Sequence, residues 1–412
     1  MMEMPLFDPF DATMKVDPYP TYRRYLEAGA IHLGKPAMPE YPNGWYVFGF
    51  DEAKTVLRDP AFIHERNKAL RQPAGSILDL TGDQQKLWEF LGNWFLLRDP
   101  PAHSALRGWV AGPFRQDNVK QLEAHIERTA RSLSEQALVQ GGLDMMWDYA
   151  YPLSLSVISH VLGITVPDLR WFKKNTRAMA NALSIRNTTD AYAGASDALS
   201  EMTDFLRASI AEQRSGRGNA GLLRDLLYPP PGAEALAEDD IVCLLSLLLF
   251  AGQETVSDAI GNGVCLFSNH PEALAWVLSD IKRMPNAVEE ILRYEPPVQY
   301  TVARTAAVDM VVSETLIRRG DPVTVVLGAA SRDKRKFDDP DRFDASRQVS
   351  GDTLVFGKGI HICLGIHLAR LTLRIAFEQL FRSMPGNWCV ATPPVWRDNL
   401  SLRGPASLLI TW

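Results

Sequence analysis

The stretch FGKGIHICLG, residues 356 to 365, sets three glycines (357, 359 and 365) around a single cysteine, Cys363. Neither nucleotide-binding fingerprint fits it. After Gly357 and Gly359 the third glycine of a GxGxxG turn would fall on Ile362, and the Lys-Ser/Thr pair of a phosphate-binding loop is missing. Half of a zinc site would need another cysteine two to four residues away, and there is none. On these residues alone, an inert thiol in an ordinary loop stays open as a reading.

Around that loop lies a chain of 412 residues, 46% hydrophobic and 22% charged, which is the balance of a globular protein with a large core. The net charge of −6 argues against a nucleic-acid binder, though not against a local basic patch. The start, MMEMPLFDPFDATMKVDPYP, is acidic and proline-rich and lacks the basic-then-apolar order of a secretory signal. The longest apolar run, IVCLLSLLLFAG (241–252), falls short of the ~20 residues that span a bilayer and predicts a buried core helix. Four cysteines (243, 265, 363, 389) form no CxxC pair, which suits a reducing compartment and makes the cytoplasm the expected location.

Apolar residues spaced at three and four predict helices over 125–138, 196–213 and 368–381. WYVFGF (45–50) and DPVTVVLGAA (321–330) read as strands, and LYPPPGAEALAEDD (227–240) as a surface connection between helices. With no repeat and no clean linker, the expectation is one domain, 1–412, mainly α with small β-sheets near 30–55 and 300–330.

Three further stretches carry candidate chemistry. In DPPAHSALRGWVAGPF (99–114), Asp99 is a plausible N-cap and Pro100 an N1 residue, so His103 and Arg107 share a helix face; an exposed basic face is an equal reading. In LLLFAGQETVSDAIG (247–261), Gly252 costs about 1 kcal/mol in a helix interior, and Glu254 is costly to bury unpaired. Such a conflict inside an otherwise consistent helix marks a functional place, with the Thr255 hydroxyl able to bond the carbonyl one turn back. In EEILRYEPP (289–297), Glu290 and Arg293 lie at i and i+3 before Pro296 and Pro297; taken alone they read as a surface ion pair.

Together and in this order, these stretches resemble the cytochrome P-450 family, over nearly the whole chain from DPYPTYRR (17–24) to LRGPASLLITW (402–412). FGKGIHICLG is similar to its haem-thiolate loop, with Phe356, Gly357, Gly359, His361, Cys363 and Gly365 in place, and AGQETV to the oxygen-binding kink of the long central helix over the haem. Glu290 and Arg293 match the family's ExxR, PDRF (340–343) offers Arg342 as third member of that buried triad, and HSALR matches its HxxxR. The chain departs from the pattern at Val256, Ser331, Lys334 and Ser313, where the last stands for a turn glycine.

The resemblance implies a soluble bacterial monooxygenase holding haem b, with Cys363 as axial thiolate kept deprotonated by the N-terminus of the helix that follows it. It implies His103, Arg107, Arg304 and His361 as propionate partners, and Ala251 and Gly252 as the room for dioxygen. Glu254 and Thr255 become a proton relay, and Phe356 a shield of the sulfur. Electrons would come from a ferredoxin and its reductase, docking on a patch of Arg107, Arg115, Lys120, Lys358 and Arg370. An apolar substrate, terpenoid or polyketide-like, would meet Leu248, Val298, Val302 and Leu400. HERNKALRQ (64–72) sets Arg66, Lys68 and Arg71 close together; a solvated loop is the first reading of it, and one of the three pairing an acidic group on the substrate is the second. Two rivals stand beside this: a haem-thiolate protein using peroxide or doing other non-monooxygenase chemistry, and a cofactor-free helical binding protein.

Overall fold

The computed structural model describes residues 4–36, 42–65, 82–139, 141–184, 189–232, 234–349 and 352–412. Its principal helices are α1 (Tyr19–Ala28), α2 (Phe50–Arg58), α3 (Ala102–Val110), α4 (Glu123–Val139), α5 (Tyr151–Leu162), α6 (Leu169–Ala182), α7 (Thr189–Arg214), α8 (Glu238–Asn269), α9 (Met284–Tyr294) and α10 (Ile366–Ser383). The three helices expected from periodicity lie inside α4, α7 and α10. The 227–240 connection runs from the end of the short helix Leu222–Leu227 to the start of α8.

The largest core is helical, with α8 through its middle. Glu238, Asp239 and Asp240 occupy the first turn of α8, where carboxylates complement the helix dipole. By length and composition α8 is long and apolar enough to cross a membrane, but 72% of its most apolar 18-residue window is buried inside the molecule. That matches the core helix expected from residues 241–252.

A five-stranded sheet flanks the helices: β1 (Ile31–Gly34), β2 (Gly44–Val47), β3 (Phe62–Ile63), β4 (Arg304–Ala306) and β5 (Pro322–Val325), in the order β1-β2-β5-β4-β3. Among the described strands of this sheet β2 and β5 pair in parallel, with Trp45 opposite Val323. Strand β4 then places Arg304 across from Val323, and β3 sets Phe62 against Ala306. Both strands read from the sequence stop early. Phe50 begins α2, and Leu327–Ala330 forms a short helix after β5. β-Rich composition there reflects burial as well as strand: Val47, Phe48, Val325 and Val326 are fully buried.

Candidate functional site

Cys363 sits in a tight loop between a one-turn 3-10 element and the long helix α10. Gly357 N–H donates to Leu354 O (2.8 Å), Cys363 N–H to Phe356 O (2.8 Å), and a 3-10 turn covers Gly359–His361. Gly357 and Gly359 have φ of 72° and 74°, a region costly for side-chain-bearing residues. At Gly359 a Cβ would lie 2.6 Å from Leu57 O, so this glycine also lets the loop press on the end of α2. Helix α10 begins three residues after Cys363, with Gly365 as its N-cap residue.

The thiol lies deep among protein atoms, yet its surface is accessible. Burial pushes its pKa up, while the Gly365 N–H and the charges of Arg107 and Arg370 pull the other way without cancelling it. Arg370 is anchored by Glu289 through two bonds (2.6 and 2.8 Å) and lies over the Phe356 ring at 4.9 Å. Arg107 donates to Ile362 O at 2.6 Å, bracing the loop one residue before the cysteine.

Beside this loop, donors converge without acceptors. His103 is 2% exposed, and neither of its ring nitrogens has a partner; His361 Nε2 and Arg304 Nε are likewise buried and unpartnered. The His103 and His361 rings lie 4.3 Å apart. Arg304 reaches Val56 O and Leu57 O at 3.1 and 3.2 Å, which aligns the guanidinium but supplies no charge. Burial lowers the Arg304 pKa to about 10. Burial, reinforced by His103, Arg304 and Arg107, pushes His361 down to about 3. An unmet buried donor costs about 1–3 kcal/mol, so the cluster calls for an anionic partner. The two carboxylates of haem fit it.

On α8 the predicted pair divides. Thr255 donates to Ala251 O at 3.1 Å, the back-bond expected of it, and Ala251 is exposed although the helix around it is largely buried. Glu254 points elsewhere. It is fully buried and accepts from Lys173 Nζ (2.6 Å) and Thr176 Oγ1 (2.6 Å) on α6, and from Arg397 near the C-terminus. Arg397 also binds Asp258, one turn along α8, at 2.6 Å. Burial opposes the charge on Glu254, but Lys173 and Arg397 outweigh it and hold its pKa at about 2. Burial raises Asp258 to about 6 against the pull of Arg397.

Several expectations need correction. Helix α3 starts at Ala102, not Pro100; the Asp99 carboxylate instead accepts from His64 N–H and Glu65 N–H. At Gly252 the space a side chain would take is filled by Ile158 of α5, which would lie 2.8 Å from a Cβ there, so this glycine serves helix packing rather than leaving room for a ligand on that side. Glu290 and Arg293 form the buried pair that the resemblance implied, not the surface pair that their spacing alone suggests: both are fully buried and joined at 2.6 and 2.8 Å. The third member is Arg347, whose Nε meets Glu290 at 3.2 Å. Arg342 turns its side chain to Asp339 and Asp344 at the surface, because the loop presents only its carbonyl to Arg293.

Four of the five basic-patch residues are already engaged: Arg107 with Ile362 O, Lys120 with Asp117, Lys358 with Asp352 and Arg370 with Glu289. Leu248, Val298 and Leu400 pack with three different apolar clusters, and Val302 is half-buried. Arg66, Lys68 and Arg71 lie outside the described residues. Lys173, Arg397 and Arg347 carried no local signal, since long-range pairing alone gives them a role. All four cysteines are free.

The sequence model of the cytochrome P450 family matches residues 157–385. The chain is 34% identical to the cytochrome P450 monooxygenase PikC of Streptomyces venezuelae, over 96% of this chain and 91% of that protein. It is 29% identical to the polyketide biosynthesis cytochrome P450 PksS of Bacillus subtilis, over 100% and 99%. Among solved structures, P450BioI in complex with hexadec-9Z-enoic acid ligated acyl carrier protein superposes with a TM-score of 0.87 at 28% identity, covering 97% of this chain and 100% of that one. The chain belongs to the cytochrome P450 family. It is a haem-thiolate monooxygenase, a mainly helical enzyme whose cofactor is haem b with an axial cysteine thiolate. That sets aside the cofactor-free binding protein. Bacterial members draw their electrons from separate redox partners.

Proposed function

We propose that Cys363 supplies the axial thiolate and that His103, His361 and Arg304 hold the haem propionates, with Arg107 bracing the cysteine loop. The enzyme, acting as one domain, inserts one atom of O2 into a mostly apolar small molecule of specialised metabolism, polyketide-like or terpenoid. The supporting observation is the convergence of unpartnered buried ring and guanidinium nitrogens, both of His103, His361 Nε2 and Arg304 Nε, beside the loop that carries the cysteine. Bound haem supplies dioxygen activation, with the thiolate feeding electron density that favours O–O cleavage.

The residues divide the remaining work. The Gly365 N–H and the charges of Arg107 and Arg370 favour the thiolate over the thiol. Phe356, held under Arg370, shields the sulfur. Thr255, on the open face of α8, can release Ala251 O and pass a proton to a water there. Glu254, held ionised by Lys173 and Arg397, has no proton to give in this arrangement; it supports the relay only by fixing α6 and Arg397 against α8 behind Thr255. A ferredoxin with its reductase supplies electrons from the cysteine side. The free cysteines suit the cytoplasm.

The polyketide reading rests on the likeness to PksS, named for polyketide biosynthesis. Macrolactones and long-chain fatty acids, screened for a low- to high-spin shift of the haem, supply a ligand for turnover with ferredoxin, reductase and labelled O2. The product should carry one labelled oxygen; label arriving from water or added peroxide instead would reject the reading.

A further inference from the structure

The donor cluster contains a residue that motif matching does not reach. His64 directly follows β3, and its Nδ1 is buried without a partner. Its ring stands edge-on to His361 at 4.5 Å, and His361 in turn lies 4.3 Å from His103, so three imidazoles run in one row. The turn carrying His64 is fixed. Asp99, just before α3, accepts from His64 N–H at 3.1 Å and from Glu65 N–H at 2.8 Å, and Glu65 pairs with Arg98 at 3.1 Å. A carboxylate spent on two backbone donors positions the imidazole rather than neutralising it.

Burial, then Arg304, His361 and His103, hold the basicity of His64 well below that of a free imidazole. Among the described residues nothing pairs with His64 Nδ1, either His103 nitrogen, His361 Nε2 or Arg304 Nε, and such crowding is unfavourable unless an anion sits among them.

We propose that His64 is a further haem-anchoring residue, donating from Nδ1 to a propionate, and that Asp99 is its positioning residue. This rests on the haem-thiolate reading. The donor makes haem release slower and, by offsetting propionate charge, raises the reduction potential of the iron.

The test uses the holoprotein with His64→Phe, His64→Ala and His64→Gln. Haem transfer to excess apomyoglobin and the Fe(III)/Fe(II) potential are measured for each. Phe and Ala should lose haem about tenfold faster and shift the potential downward, while Gln, which keeps a donor, should stay near the parent. Unchanged loss rate and potential in Phe and Ala would overturn the proposal. Asp99→Asn should speed loss in the parent but add little in the His64→Phe background; equal acceleration in both would remove the positioning role. Far-ultraviolet circular dichroism separates these outcomes from misfolding. If the parent itself shows no thiolate band with carbon monoxide, the haem-thiolate reading fails; if it does and the His64 variants match it, only this proposal fails.

Discussion

Cys363 illustrates how a residue is pulled between folding and chemistry. A thiol deep in the protein prefers to stay protonated, yet the Gly365 N–H, Arg107 and Arg370 all favour the charge. Cys363→Ser should keep the fold and abolish both the thiolate absorption signature and oxygen insertion; retention of either would remove Cys363 from the role. Thr255→Ala should divert reducing equivalents into hydrogen peroxide, read as product formed per NAD(P)H consumed, and unchanged coupling would count against the relay. Glu254 is the costliest side chain to lose. Glu254→Ala leaves Lys173 and Arg397 buried with an unmet charge, and stability should fall by about 3–5 kcal/mol in urea unfolding. The sign of its pH dependence follows from the depressed pKa: the stabilisation is present above the unfolded-state value of 4.5 and is lost as pH falls towards about 2. At this scale Cys363, His103 and His361 were legible in the sequence because each stands in a local motif. His64, Lys173 and Arg397 were not, since their neighbours lie tens to hundreds of residues away.

Among the elements, the clearest lesson lies in α9 and the loop that crosses it. Glu290 and Arg293 could be recognised from their i, i+3 spacing, but the spacing says nothing of burial or of the third partner. The loop after Asp338 delivers Arg347 to Glu290, and Asp344 N–H to the same carboxylate at 3.0 Å. Arg347→Ala should therefore destabilise the protein by about 1–3 kcal/mol, whereas Arg342→Ala, at the surface, should change stability by less than about 0.5 kcal/mol. Thermal melts of the two variants check this, and the reverse order would restore Arg342 to the triad. The turn at Ser313 shows a similar compromise: φ is 53°, and its hydroxyl donates to Glu52 at 2.9 Å. Periodicity located α4, α7 and α10 well. It failed at residues 48–50 and 326–330, where buried apolar chain leaves a strand and enters a helix without changing composition.

For the whole molecule, the acidic total charge and the local chemistry on the cysteine side point in different directions. Most of the arginines and lysines there are held by Asp117, Asp352 and Glu289, and among the described residues Arg115 makes no ion pair. If, as proposed, an acidic ferredoxin docks on this side, it competes with these internal pairs, and the apparent affinity for it should weaken as ionic strength rises. Turnover that is insensitive to salt would argue for a different docking face. The architecture brings β3, β4, α3 and the cysteine loop together so that donors distant in sequence share one small region. The most direct test of that arrangement is the absorption spectrum of the purified, reduced protein under carbon monoxide. Thiolate-ligated haem should give the strongly red-shifted Soret band. A band at the position of histidine- or thiol-ligated haem, or no Soret band after reconstitution, would contradict that arrangement.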